Sequence, residues 1–414
     1  MKKTRLFTIF CLMTAALSLS PSLSLAQLVL GQYEDEAPFR TWNTYPFSSA
    51  AALGRGGTVF TLASDSSAAL ANPALLPNLP KFTLTVNGYL ETASFFKYGP
   101  VNTGLFLAEN NLWQALGGLD FAGLSFRLQG WTFALNVSLT ELYNRPEAKV
   151  EYSPQGTLEY LLSFHQEGVL RTLNFSVGRR IGSRISAGLG LNYMIGNLHR
   201  ELVEQVGSPG YTITDNKTQD FNGFVLNGGI CFEISSKFRV AAVFRTPYKK
   251  RSDSRSDLRY SAPAGKTDIS IPAASQDTAE QPLILGLGAR YIILPRLTLA
   301  ADVSYSAWSK YTLDYFGETQ ERNFKDIFKI GAGLEYVIDF NLFGPPASVP
   351  FRLGFIYDPQ PMKDPSSSYF CLTFGSGIHW KRLHLDLGAM FGSESGSGNN
   401  LIGMKLVLSV GFCL

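Results

Sequence analysis

The side chains that could carry covalent chemistry are few and far apart. His165, His199, His379 and His384 are scattered along the chain, with neither a G-x-S-x-G elbow nor an H-E-x-x-H pair beside them. A serine–histidine hydrolase would need two distant segments brought together on one wall, so the residues read as a protein without catalytic function or cofactor. Cys231, Cys371 and Cys413 follow no C-x-x-C or metal-ligand spacing and read as small residues within strands. Gly54-Arg55-Gly56-Gly57 could cradle a phosphate only between a strand and a helix that aim backbone N–H groups at it. Neither flank is present, so these glycines read as tight backbone turns.

Binding chemistry is better represented. Period-two alternation points Arg180, Arg239, Arg245, Arg290, Lys329 and Lys405 to one face, together with Glu233, Asp302, Glu335 and Asp386. Most of these charges are expected to pair with one another across strands. A ligand carboxylate in an apolar pocket would still need one or two basic partners, because a lone buried carboxylate is costly. Arg290 and Lys329, on strands close in sequence, are the candidates. The stretch near 93–118 carries Phe95, Phe96, Leu105, Phe106, Leu107, Leu112, Trp113 and Leu116, an unusual apolar load for a connection. Phe106, Leu107 and Trp113 are the candidate ligand contacts there, either as a capture surface or folded onto a rim.

The elements that must position these groups are strands. Met404, Leu406, Leu408, Val410, Phe412 and Leu414 share one face, opposite Lys405, Ser409 and Gly411. The pattern recurs in about fourteen segments: near 82–92, 119–128, 131–143, 169–181, 184–200, 219–234, 237–248, 281–294, 297–308, 324–338, 350–358, 367–379, 382–391 and 401–413. Tight turns at Gln129-Gly130, Gly182-Ser183, Ser235-Ser236, Pro295 and Trp380-Lys381 alternate with long links near 93–118, 144–168, 201–218, 249–280, 309–323, 359–366 and 392–400. One connection, near 339–349 with Gly344-Pro345-Pro346, is longer than its peers on the tight side. Short turns at one end and long loops at the other are the habit of transmembrane barrels. The expected fold is therefore an all-β, 14-stranded antiparallel transmembrane barrel over 82–414.

Residues 1–26 read as a signal peptide: Lys2, Lys3 and Arg5, an apolar run from Leu6, then Ser24-Leu25-Ala26. With 36 Lys+Arg against 33 Asp+Glu, losing those three cations leaves the remainder formally neutral, which argues against a nucleic-acid partner. Charged residues are only 17% of the chain, and beyond the leader no apolar run is long enough for a helical span. The expected location is the bacterial outer membrane, in contact with its lipid.

Residues 27–81 lack strand alternation and are rich in Ala, Gly and Ser; they are placed to fill the wide lumen of such a barrel as a plug. Within them, Gly54, Gly56 and Gly57 precede Asn72-Pro73-Ala74. This order resembles the FadL family of long-chain fatty acid transporters, as do Tyr305-Ser306-Ala307-Trp308-Ser309-Lys310-Tyr311, Phe324-Lys325-Asp326 and the run from Phe351 to Asp358 with Gln360-Pro361. The resemblance implies an N-terminal hatch gated at Gly54, Gly56, Gly57, Asn72, Pro73 and Ala74. It also implies passive, monomeric uptake of hydrophobic molecules, long-chain fatty acids or aromatic hydrocarbons. The chain departs from the family in ending at Leu414 rather than an aromatic residue and in its acidic Glu34-Asp35-Glu36. An alternative is a PorV-like barrel, which shares a comparable hatch and holds partner proteins.

Overall fold

The computed structural model describes residues 48–63, 65–94, 107–108, 113–152, 160–207, 210–261, 267–321, 323–364, 366–396 and 402–414. The proposed leader and residues 27–47 lie outside the described residues.

Fourteen antiparallel strands form a closed barrel. They are β1 (Phe82–Ser94), β2 (Trp113–Leu128), β3 (Trp131–Leu142), β4 (Tyr160–Ile181), β5 (Ile185–Val206), β6 (Thr212–Glu233), β7 (Phe238–Arg245), β8 (Ile284–Leu294), β9 (Leu297–Ser306), β10 (Ile327–Asn341), β11 (Pro346–Pro359), β12 (Ser368–Trp380), β13 (Leu383–Ser395) and β14 (Ile402–Cys413). β1 pairs with both β2 and β14, which closes the ring.

Alternation becomes two surfaces. On β14, Leu408 and Val410 are exposed while Lys405, Val407 and Ser409 are buried. Leu189, Phe224, Leu287, Phe328, Leu353 and Leu372 continue the exposed apolar belt around the outside. The opposite face carries Thr85, Asn136, Asn174, Asn192, Asp302 and Thr373, all buried. A polar inner face and an apolar outer one is the reverse of a water-soluble barrel.

Two expectations about connections need correction. The links near 144–168, 201–218 and 249–280 are largely strand: β4, β5 and β6 have 22 residues each, and Tyr248–Ser261 and Ile269–Gln281 prolong β7 and β8. There the strands alternate exposed charges with buried polar residues, as in Lys249, Arg251 and Asp253 against Lys250, Ser252 and Ser254, a pattern that lacks the apolar outer face of the belt. The connection near 339–349 is a hairpin whose ladder runs on to Asn341↔Pro346. Its four-residue turn contains Phe343 and Gly344, both at positive φ, and so accommodates the adjacent prolines that read as a loop.

Candidate functional site: the inner segment and a parted wall

Residues 48–80 lie within the barrel. They form α1 (Ala50–Gly54), α2 (Ala68–Ala71) and a 3-10 turn (Pro73–Asn78). None of these is long enough to be stable alone, and packing supplies the difference. Ala50, Leu53, Ala69, Ala74, Leu75 and Leu76 are fully buried. Gly56 and Gly57 have φ of 67° and 69°, a conformation that favours glycine and turns the chain after α1. Asn72 caps the 3-10 turn, its Oδ1 accepting from Ala74 N–H at 3.0 Å, while Pro73 occupies the first position, where no N–H is needed. Burial pushes the Asp65 carboxyl above its usual range, against the lowering pull of Ser67, whose N–H donates to it at 2.9 Å.

The wall makes room with glycines. A Cβ on Gly354 would lie 2.1 Å from the Gly56 nitrogen, and one on Gly333 2.3 Å from the Arg55 oxygen. On the same side, a Cβ on Gly388 would meet the Ala50 oxygen at 2.3 Å; across the barrel, one on Gly178 would meet the Pro73 oxygen at 2.4 Å. Backbone therefore rests directly on backbone around much of the ring.

Polar contacts then hold the segment at two places. At the first, Arg55 Nη1 donates to Glu335 Oε2 at 2.8 Å; Arg352 bridges the same oxygen at 2.6 Å and Asp386 Oδ1 at 2.6 Å. His379 Nε2 lies 3.0 Å from Asp386 Oδ2. Nearby, Asp302 Oδ2 accepts from Val59 N–H at 2.6 Å and Phe60 N–H at 2.9 Å. At the second, the groups are neutral amides. Asn72 Nδ2 donates to Phe60 O at 2.6 Å and contacts Cys231 Sγ at 3.2 Å. Asn227 Nδ2 donates to Ala69 O at 3.0 Å and Leu70 O at 3.2 Å. Arg127 closes the end of the segment on Pro77 O and Leu79 O, each at 2.7 Å.

The wall itself parts between β2 and β3. The β2–β3 ladder runs from Leu128↔Trp131 to Phe121↔Ser138 and stops. β2 nevertheless continues against β1 as far as Trp113, and β3 against β4 as far as Leu142. Register shifts sit on both strands at this point, at Asp120 of β2 and Thr140 of β3, and such bulges bend the strands that carry them. From outside, Arg171 Nη1 reaches the Leu119 carbonyl at 3.5 Å. Inside, Asp120 and Glu141 are buried just beyond the last rung. Further along β4–β6, Tyr143, Leu170, Met194, Leu198, Phe221 and Val225 form an apolar cluster within the otherwise polar interior. Lys250 joins it, its Nζ donating to the Tyr143 hydroxyl at 3.2 Å and standing 4.9 Å over the Phe221 ring.

Gly54, Gly56, Gly57, Asn72, Pro73 and Ala74 all lie in the inner segment, the glycines at the ionic attachment and the Asn-Pro-Ala run at the amide one. Arg290 lies toward the tight-turn end beside Glu233 at 4.0 Å, a carboxylate also held by Arg239 and approached by Arg180. Lys329 lies toward the other end, 2.9 Å from Asp358, so the two do not converge. Phe106 lies outside the described residues. Leu107 begins a two-residue strand paired to Val150 and Glu151, and Trp113 begins β2. Of the scattered histidines, His379 and His384 face each other across β12–β13, their rings 4.3 Å apart.

Sequence reasoning passed over the inward asparagines, Thr373, Ser409 and Lys250. The asparagines did carry a signal: Asn136, Asn174, Asn192 and Asn227 are turn-formers placed in strand interiors, where they are disfavoured without a partner.

Several solved barrels share this architecture. The toluene transporter TbuX of Ralstonia pickettii is 15% identical over 90% of this chain and 99% of its own, with a TM-score of 0.62. The toluene transporter TodX of Pseudomonas putida is 12% identical over 91% and 100%, with a TM-score of 0.63. A FadL homologue of Pseudomonas aeruginosa is 14% identical over 89% and 98%, with a TM-score of 0.60. The expected likeness to FadL-type barrels thus holds at the level of the fold. No protein of curated function matches the sequence. The BamG family model matches residues 56–414, from the glycines of the inner segment to the last residue of the barrel; the chain belongs to the BamG family.

Proposed function

We propose that this protein is an outer-membrane channel for passive uptake of hydrophobic molecules, with residues 48–80 as its hatch. The observation that carries the reading is the seam between β2 and β3. A water-filled axial pore gives an apolar solute no reason to enter. A wall whose strands part within an apolar belt offers a sideways route from the lumen into lipid, with no aqueous crossing. The apolar cluster around Tyr143 and Phe221 supplies a place to dwell above the hatch. Lys250, in contact with two of its rings, can meet a polar headgroup where one is present. Phe106, Leu107 and Trp113 serve in this reading as outer contacts.

Long-chain fatty acids and aromatic hydrocarbons both fit an apolar docking cluster. The solved relatives of this fold include barrels described as toluene transporters. Uptake of labelled oleate and labelled toluene by cells with and without the protein tests the reading. Faster uptake of either with the protein supports it; equal rates for both overturn it.

A further inference from the structure

Four asparagines on four consecutive strands form one directed chain. Asn136 Nδ2 donates to Asn174 Oδ1 at 2.9 Å, Asn174 Nδ2 to Asn192 Oδ1 at 2.8 Å, and Asn192 Nδ2 to Asn227 Oδ1 at 2.8 Å. Asn227 Nδ2 then donates to the α2 carbonyls of Ala69 and Leu70. All four side chains are buried. The direction is imposed from one end. A carbonyl can only accept, so the hatch forces Asn227 to present its NH2 inward and its oxygen to Asn192. That choice sets Asn192, then Asn174, then Asn136. Asn174 Oδ1 also accepts from Ser176 Oγ at 3.0 Å, and Asn192 Nδ2 donates to Val225 O at 3.2 Å, both in the same sense.

The other end of the chain is the seam. Asn136 sits on β3 opposite Gly123 of β2, which has no side chain to continue the run. The oxygen of Asn136 is buried without a hydrogen-bond partner, and a Cβ on Gly123 would lie 2.0 Å from it. The β2–β3 ladder ends shortly beyond Asn136 on the same strand, at Phe121↔Ser138.

We propose that this asparagine ladder couples the seating of the hatch to the β2–β3 seam. With the hatch seated, the ladder has one polarity and leaves an acceptor at the seam. When α2 withdraws, Asn227 loses its two acceptors and the polarity is held only by the 3.2 Å bond from Asn192 to Val225 O; reversal at the cost of that one bond turns an NH2 group toward β2. Two discrete arrangements of one row give the two sites a shared element to bias. Asn136, Asn174, Asn192 and Asn227 are positioning residues in this scheme, acting through the hatch and the wall. The inference rests on the hatch reading above, but its test does not depend on transport.

The test is hydrogen–deuterium exchange on the full chain in detergent, read at a peptide covering residues 139–143 of β3. Asn72→Ala removes the cap and the Phe60 bond, loosening a segment that packs directly on β3 at Ala134, so the ladder-cut background separates that route from the ladder. With the ladder intact, this substitution is expected to speed exchange at 139–143 by about threefold or more, a coupling of ordinary size for one network. In an Asn174→Leu background the same substitution should leave exchange there unchanged. Asn174→Asp gives a reversible version. As a neutral acid it can donate to Asn192 and accept from Asn136; ionised, it can only accept. Coupling should therefore be present at acid pH and absent at neutral pH in that variant alone. No response of 139–143 to Asn72→Ala, or an equal response with the ladder cut, overturns the proposal. Retained heat-modifiable migration of each variant confirms that the barrel has folded. Unchanged exchange with uptake intact would sink the coupling and leave the channel; coupling without uptake would do the reverse.

Discussion

The inner segment, the proposed hatch, is held in two places by different physics. At Arg55 the bonds are ionic and buried: Glu335 lies between two guanidiniums, and Arg352 joins it to Asp386. At Ala69–Ala74 they are neutral: Asn72 meets the Cys231 thiol, and Asn227 donates to the Ala69 and Leu70 carbonyls. Breaking one partner of a buried ion pair leaves an uncompensated charge, at about 3–5 kcal/mol, whereas losing an amide bond costs about 1–3 kcal/mol. The comparison suggests a fixed end and a release end. The attachment at Ala69–Ala74 is the one expected to release first.

Five substitutions would break or sharpen that contrast. The largest effect is expected from Gly354→Val, which puts side-chain atoms where the Arg55–Gly56 backbone rests. The hatch cannot seat, so its amides should lose protection along its whole length while the barrel still migrates as folded. Full protection would show that the glycine belt is not the seat. Next is Glu335→Ala, which strands Arg55 against Arg352. Exchange near residues 50–60 should rise by about two to nearly four decades, the range that ~3–5 kcal/mol represents. Arg55→Met added to it should recover part of the loss, because Arg352 keeps Asp386.

Asn227→Leu should act more weakly, by about 1–3 kcal/mol, and only at residues 68–79. An equal response near Arg55 would erase the distinction between the two attachments. The smallest effect concerns Asp65. Burial raises its pKa in the seated hatch, so the protonated form is favoured there. Its contribution is fully present below the unseated pKa and is lost as pH rises through the raised value. Protection of 65–70 should therefore fall with rising pH beyond the intrinsic rate change, and Asp65→Asn should remove the excess.

The barrel was legible because its physics is local. One face of Leu406, Leu408 and Val410 must leave water, and tight turns such as Gln129-Gly130 alternate with long connections. The upper strands were not legible, because Tyr248–Ser261 lacks the apolar outer face of the belt and its charges mimic a loop. Asn72-Pro73-Ala74 marked the inner segment in the sequence, but not its attachments. Arg55 meets Glu335 across 280 positions and Asn227 meets Ala69 across 158, and such pairings depend on strand register that alternation leaves open. Arg290 and Lys329 illustrate the same gap. Alternation gave their face but not their height, and each faces a carboxylate at a different end of the wall.

One measurement bears most directly on the gated channel. Asn72 contacts the native thiol of Cys231, so Asn72→Cys places two thiols between hatch and wall with a single substitution. Uptake of labelled toluene and oleate by cells carrying this variant should fall several-fold on oxidation and return on reduction. The channel account is contradicted if mass spectrometry confirms that the introduced thiol has joined Cys231 in a disulfide and uptake is the same in both states.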